Sequence, residues 1–182
     1  MNNQPYRYLN FTKDPLISGW DTINDLESLF IHVDSECSLL KPEIKDIFLS
    51  QNLIPKANLL SYAPNSLRRF YHTDMNKDEK TECAINWLLS GNPGKTEWSY
   101  QAFEMKVDIP GKTGLHGTQP QLWRAAEPDF VAELTQPMAI RTNVPHRVNN
   151  LSSDTWRIAY SVRFKGNPTW ETVLEKLQDY IV

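Results

Sequence analysis

The hydrophobic and polar positions change texture twice along the chain. Over 22–33 (TINDLESLFIHV), Ile23, Leu26, Leu29, Phe30 and Val33 recur at helical spacing, and Asp21 or Thr22 stands where an N-cap belongs. Residues 41–52 (KPEIKDIFLSQN) repeat the pattern through Ile44, Ile47 and Phe48, with Pro42 in the first turn, where its missing N–H is not needed. From about residue 57 the period shortens. β-Prone runs at 57–63, 82–89, 96–107, 129–135, 138–144 and 156–164 alternate with turn-rich stretches such as SGNPG and NNLSSD. At 169–181 a helical stripe returns (Trp170, Val173, Leu174, Leu177, Ile181), with Asn167 or Thr169 as its cap. So many short strands predict a β-sandwich or jelly roll rather than a parallel sheet with intervening helices.

One strand is unusually legible. Over 156–164, Trp156, Ile158, Tyr160, Val162 and Phe164 face one way, and Arg157, Ala159, Ser161 and Arg163 face the other. A face with two arginines suits solvent first. It also suits the inside of a jelly roll that holds an anion.

Composition bounds the function without naming it. At 182 residues, 40% hydrophobic and 23% charged, the chain fits one globular domain. A net charge of −3 argues against a general nucleic-acid binder, which needs positive charge facing phosphate. No apolar run reaches the roughly 18–20 residues of a membrane span, and the N-terminus lacks the basic start and apolar stretch of a secretory signal. Cys37 and Cys83 form no CxxC pattern. The expectation is a cytoplasmic protein with reduced thiols, no membrane and no nucleic-acid partner.

Candidate chemistry begins at His72-Thr-Asp74. On an extended backbone residues two apart share a face, so this imidazole and carboxylate can meet one metal ion. His146, after Pro145 at the end of an apolar strand, is the best third ligand. Two histidines and one carboxylate leave open positions on an iron, the facial arrangement of non-haem iron oxygenases. Arg157 follows His146 by eleven residues across the NNLSSD turn. If the two strands are antiparallel neighbours, the side chains lie close, and the guanidinium fork suits the distal carboxylate of a dicarboxylate co-substrate.

These residues carry a resemblance. His-x-Asp, a long gap, a distal His and then an Arg about ten residues on resembles the double-stranded β-helix 2-oxoglutarate/Fe(II) oxygenases. The local text resembles a branch related to aspartyl/asparaginyl hydroxylase-like and small microbial or phage enzymes. The matching segments are Ala84-Ile85-Asn86-Trp87-Leu88-Leu89, Val144-Pro145-His146-Arg147-Val148-Asn149-Asn150, Arg157, and Ser161-Val162-Arg163-Phe164, within roughly residues 57–165. The resemblance implies a mainly β fold, a double-stranded β-helix (jelly roll) with flanking N- and C-terminal helices. It divides the single domain into a helical part (1–56), a jelly-roll core (57–165) and a C-terminal helix (166–182).

It further implies His72, Asp74 and His146 as catalytic iron ligands, with Fe(II), 2-oxoglutarate and O2 as cofactor and co-substrates. Arg157 would anchor the co-substrate, with Asn86 and Ser161 as further cofactor-binding candidates. Leu88 stands where the branch often has Pro. Some relatives carry Arg-x-Ser on the last strand, but here Ala159 fills that place and Ser161 comes two later. The second hydrogen bond to the carboxylate is thus unassigned, and Arg163, about 20 Å along the strand, stays open as the alternative anchor.

The reaction expected is hydroxylation of a small-molecule or peptide substrate with release of succinate and CO2. The rival is a non-catalytic jelly-roll binding or structural protein with a vestigial metal site. A cupin-type enzyme using another metal is a third reading, disfavoured by the missing His-x-His pair. Other features read as background. Gly94-Lys-Thr96 and Gly111-Lys-Thr113 lack the earlier glycine of a phosphate loop. His116 reads as a loop residue, His32 as a structural residue of a helix, and Arg68 and Arg69 as a solvated pair. Trp98 and Tyr100 alternate on one strand, facing pocket or core.

Overall fold

The structure, a computed structural model, describes residues 3–17, 30–67, 71–74, 81–105, 121–124, 127–151 and 153–182. In chain order these form β1 (Tyr6–Tyr8), β2 (Phe30–Asp34), α1 (Pro42–Ser50), β3 (Pro55–Tyr62), β4 (Ser66–Leu67), β5 (Tyr71–Thr73), β6 (Cys83–Ser90) and β7 (Lys95–Trp98). There follow β8 (Phe103–Met105), β9 (Gln121–Arg124), β10 (Phe130–Glu133), β11 (Met138–Arg141), β12 (His146–Asn150), β13 (Arg157–Phe164) and α2 (Trp170–Lys176), with a 3₁₀ turn at Gln178–Tyr180.

The strand pairing is nested. β7 pairs with β10, β6 with β11, β5 with β12 and β3 with β13, always antiparallel. The chain is therefore one long hairpin whose arms cross together from sheet to sheet. β3·β13 and β6·β11 lie in one sheet, ordered β1-β11-β6-β13-β3-β2; β5·β12 and β7·β10 lie in the other, ordered β10-β7-β12-β5-β9-β8, with β4 also on β12. Successive turns join through β13·β6 and β12·β7. This is a double-stranded β-helix, as expected.

The six-stranded sheet divides its faces sharply. Ala57, Leu59, Ile85, Trp87, Tyr160, Val162 and Phe164 belong to an apolar cluster with Ile44 and Phe48 of α1 and Trp170 and Val173 of α2. Alternate positions on β13 point between the sheets, where Arg157, Ser161 and Arg163 are all buried. The solvent-first reading of that arginine face is therefore wrong. The face is covered because the second sheet closes over it.

α1 forms as its pattern predicts. Thr169 caps α2, its hydroxyl accepting the Thr172 N–H at 3.2 Å, and the stripe ends in the 3₁₀ turn. Two expectations fail. Residues 30–33, read as the end of a helix, belong to β2, because the edge of β3 offers them a ladder that outweighs local periodicity; His32 is thus a strand residue. The rest of that proposed helix, with Asp21 and Thr22, lies outside the described residues. The run 96–107 is two strands, β7 and β8. It breaks at a turn where Asp129 Oδ2 accepts the Tyr100 N–H at 2.7 Å and the Ser99 hydroxyl at 3.2 Å. The part before residue 57 is also less helical than read, since it supplies β1 and β2 to the edges of a sheet.

Two stability outcomes follow from this packing. Phe48 is fully buried, edge-on to Phe11 and Phe164 with ring centroids 5.8 and 5.3 Å away. Phe48→Ala should cost about 3–5 kcal/mol in denaturant unfolding. Asp34 is buried; burial alone would raise its pKa, but bonds from the Leu39 and Ser38 N–H groups and the Ser38 and Tyr160 hydroxyls outweigh that and lower it. A depressed carboxyl stabilises the fold above its unfolded pKa of about 3.9, and that stabilisation is lost as pH falls through the folded value. Thermal melts of Asp34→Asn should thus show a deficit against wild type at pH 7 that narrows at pH 3.

Candidate metal centre and anion pocket

β5 and β12 are neighbours, and His72 and His146 are direct cross-strand partners with ring centroids 4.5 Å apart. Asp74 lies one residue past β5, fixed there by its N–H, which donates to the Thr142 carbonyl at 3.0 Å. Thr142 is itself held by its hydroxyl on the Thr81 carbonyl at 2.7 Å, so the turn before His146 is tied to the end of β5. As a result His72, Asp74 and His146 each offer a ligand atom within 4.8 Å of the others. His146 Nδ1 lies 2.9 Å from the Val144 carbonyl. A carbonyl can only accept, so Nδ1 carries the proton and Nε2 is the nitrogen presented to a metal.

The Asp74 carboxylate has two distinct oxygens. Oδ1 lies 3.7 Å from His72 Nε2, and Oδ2 accepts Arg163 Nη2 at 2.5 Å. Burial alone would raise the Asp74 pKa; the Arg163 guanidinium and the two imidazoles outweigh it and hold the carboxyl well below the usual carboxylate range. The group is an anion at neutral pH, as a ligand must be.

Arg157 is the opposite case. It is 2% exposed, its Nε has no hydrogen-bond partner, and its guanidinium sits 5.1 Å from the centre of the Tyr62 ring. No ion pair joins it to a carboxylate among the described residues. Burial lowers its pKa from the ordinary value, yet a guanidinium keeps its proton in proteins. A β-carbon at Gly94 would lie 3.1 Å from both Arg157 Cδ and the Asn149 carbonyl, and the backbone there has φ +58°, so a glycine gives the arginine its room. That contact places the arginine stem beside the Asn149 backbone, three residues along β12 from His146, about 10 Å at strand rise.

Sequence reasoning misplaced Arg157 in one respect. β12 and β13 are not adjacent strands; they lie in facing sheets, because the hairpin crosses between sheets at the NNLSSD turn. His146 opens β12 rather than ending an apolar strand. Asn86 and Ser161 are cross-strand partners, both buried; Asn86 Oδ1 has no partner, while the Ser161 hydroxyl accepts Arg163 Nη1 at 3.2 Å. Trp98, the cross-strand neighbour of His146, is buried in the inner apolar cluster, and Tyr100 is exposed. Gly94-Lys-Thr96 runs from a turn into β7 with no helix after it. Arg68, Arg69, Gly111-Lys-Thr113 and His116 lie outside the described residues. The Val144 carbonyl and Gly94 went unread, the first because a backbone acceptor leaves no mark in sequence, the second because GNPG reads simply as a turn.

No protein-family model matches the chain, and no curated protein matches it. Among solved structures it is similar to an RmlC-like cupin family protein with a double-stranded β-helix fold from Methanocaldococcus jannaschii. The likeness is 9% identity over 90% of this chain and 92% of that one, with a TM-score of 0.31, too distant to bear on function. The strand order itself defines the class, a double-stranded β-helix protein with a His-Asp-His cluster between its sheets. No helix among the described residues is long and apolar enough to cross a membrane.

A buried cation without an acidic partner is a cost to folding rather than a support. Replacing such a charge with an apolar side chain of similar length is often neutral or stabilising. Arg157→Met should therefore melt no lower than wild type when both are free of metal. A loss above about 2 kcal/mol would show that Arg157 is structural.

Proposed function

We propose that the protein is an Fe(II)- and 2-oxoglutarate-dependent oxygenase. The observation that carries this reading is the pairing of two features inside one barrel: a two-His, one-carboxylate cluster, and a buried arginine with an unpartnered Nε and no acidic partner among the described residues. A donor set of two imidazoles and one carboxylate fits ferrous iron with positions left open. His72 and His146 would bind it as neutral imidazoles, with Asp74 as the single anion.

Arg157 would grip the far carboxylate of 2-oxoglutarate through paired charge-assisted hydrogen bonds, which removes the cost of an uncompensated buried cation. Asn86 Oδ1 can accept one further hydrogen bond from a ligand or an ordered water, and Ser161 steadies Arg163 beside the cluster. Trp98 packs beside His146 and keeps water from that side. Iron and 2-oxoglutarate, when bound, supply activation of O2 with oxidative decarboxylation to succinate and CO2, usually leaving a hydroxyl on the substrate. That substrate would be a small molecule or a peptide side chain.

The test needs no knowledge of the substrate. Protein loaded with Fe(II) and ascorbate should convert 2-oxoglutarate to succinate slowly, above free iron and above Asp74→Ala, as followed by mass spectrometry. Arg157→Ala should weaken 2-oxoglutarate binding about tenfold or more, the loss of charged hydrogen bonds. If neither iron nor 2-oxoglutarate binds to the wild type, the oxygenase reading fails and a non-catalytic jelly roll takes its place.

A further inference from the structure

Arg163 stands on the same inner face of β13 as Arg157, yet its surroundings differ. Its Nη2 meets Asp74 Oδ2 at 2.5 Å, and its Nη1 donates to the Ser161 hydroxyl at 3.2 Å. Arg163 and Ser161 are both nine-tenths or more buried. Ser161 thus fixes one arm of the guanidinium fork and Asp74 takes the other, and the rigid fork makes the direction of the second bond depend on the first. Arg163 takes Oδ2 of the Asp74 carboxylate. Oδ1 is the oxygen 3.7 Å from His72 Nε2.

We propose that Arg163 is a positioning residue that occupies one oxygen of Asp74 and so restricts this carboxylate to one-oxygen ligation of a metal through Oδ1. The inference rests on the metal site proposed above. It assigns the second arginine of β13 a role distinct from anchoring a co-substrate. A carboxylate free to turn could close on a metal with both oxygens and fill a position that an incoming ligand needs. The Ser161–Arg163–Asp74 chain prevents that. Hydrogen-bond partners that orient metal ligands commonly contribute about 10–100-fold to affinity.

The opposing effect also comes from Arg163. A cation beside the cluster repels a divalent ion, so a purely electrostatic role would make its removal tighten metal binding. The two roles therefore predict opposite signs.

Co(II) alone is the probe, titrated anaerobically into metal-free protein and read by its visible absorption. Arg163→Met should bind about tenfold or more weakly with a changed Co(II) spectrum, and Arg163→Lys should recover most of the affinity. Binding by Arg163→Met that is unchanged or tighter overturns the proposal. A measurement on the wild type holds even if the variant does not fold. The infrared difference spectrum on adding Co(II), assigned with Asp74→Asn, should show the wide carboxylate stretch splitting of one-oxygen ligation. The narrow splitting of two-oxygen ligation overturns the proposal. A wild type that binds no Co(II) removes the metal site and this inference together, whereas normal binding with an indifferent Arg163→Met removes this inference alone.

Discussion

A guanidinium withdrawn from water must find an anion, a ring or enough acceptors, and β13 withdraws two of them. Arg157 and Arg163 point between the sheets from the strand whose other face carries Tyr160, Val162 and Phe164. The arrangement of the molecule follows from that constraint. The larger apolar cluster forms outside the six-stranded sheet, under α1, α2 and the N-terminal segment, and the smaller one sits inside around Trp98, Ala84, Met138 and Ala159. The space between the sheets is shared by that smaller cluster and buried polar groups, while the helices supply further cohesion from outside. The two arginines then part company. Arg163 finds Asp74, whereas among the described residues Arg157 finds the face of Tyr62 and no carboxylate. A buried ion pair with its partner in place is a settled arrangement; a buried cation with an idle N–H is kept at a cost that a bound anion removes.

The nested hairpin explains why groups so far apart in the chain meet. His72 lies on the fifth strand and His146 opens the twelfth, yet they sit opposite each other because β5 and β12 are rungs of the same ladder. Asp74 joins them through a backbone bond to Thr142, so one ladder positions all three residues. Between β7 and β10 in chain order comes β9, which pairs with β5 on the side away from β12. The strand that bears His72 is thereby held on both edges.

The strong periodicities were legible in the residues and the contextual ones were not. α1, α2, β3, β6 and β13 each follow a pattern of several residues whose buried face can be read directly. β5 has three residues and β12 is mostly polar, so their strand character comes from pairing with neighbouring strands, chiefly β9 and β7, rather than from apolar content. Phe30–Asp34 shows the same point in reverse, since helical spacing yielded to a free sheet edge. The order His72, Asp74, His146 was readable because metal chemistry restricts residue types. The bond from Arg163 to Asp74 was not, because residue spacing says nothing of which inward arginine reaches which carboxylate.

The cross-strand histidines have a consequence for the chain as a polymer. Cys37 and Cys83 are both buried and unpaired, so no disulfide closes a loop among the described residues. His72 and His146 are separated by 74 positions, and a metal ion gripping both would tie that loop shut as a disulfide does. The entropy removed from the unfolded chain by closing a loop grows only with the logarithm of its length, but for tens of residues it is about 3–5 kcal/mol in the chain-entropy account. Unlike a disulfide, such a tie is broken by a chelator and needs no oxidising compartment. Metal supply would then govern how long the folded chain survives, independently of any reaction it performs.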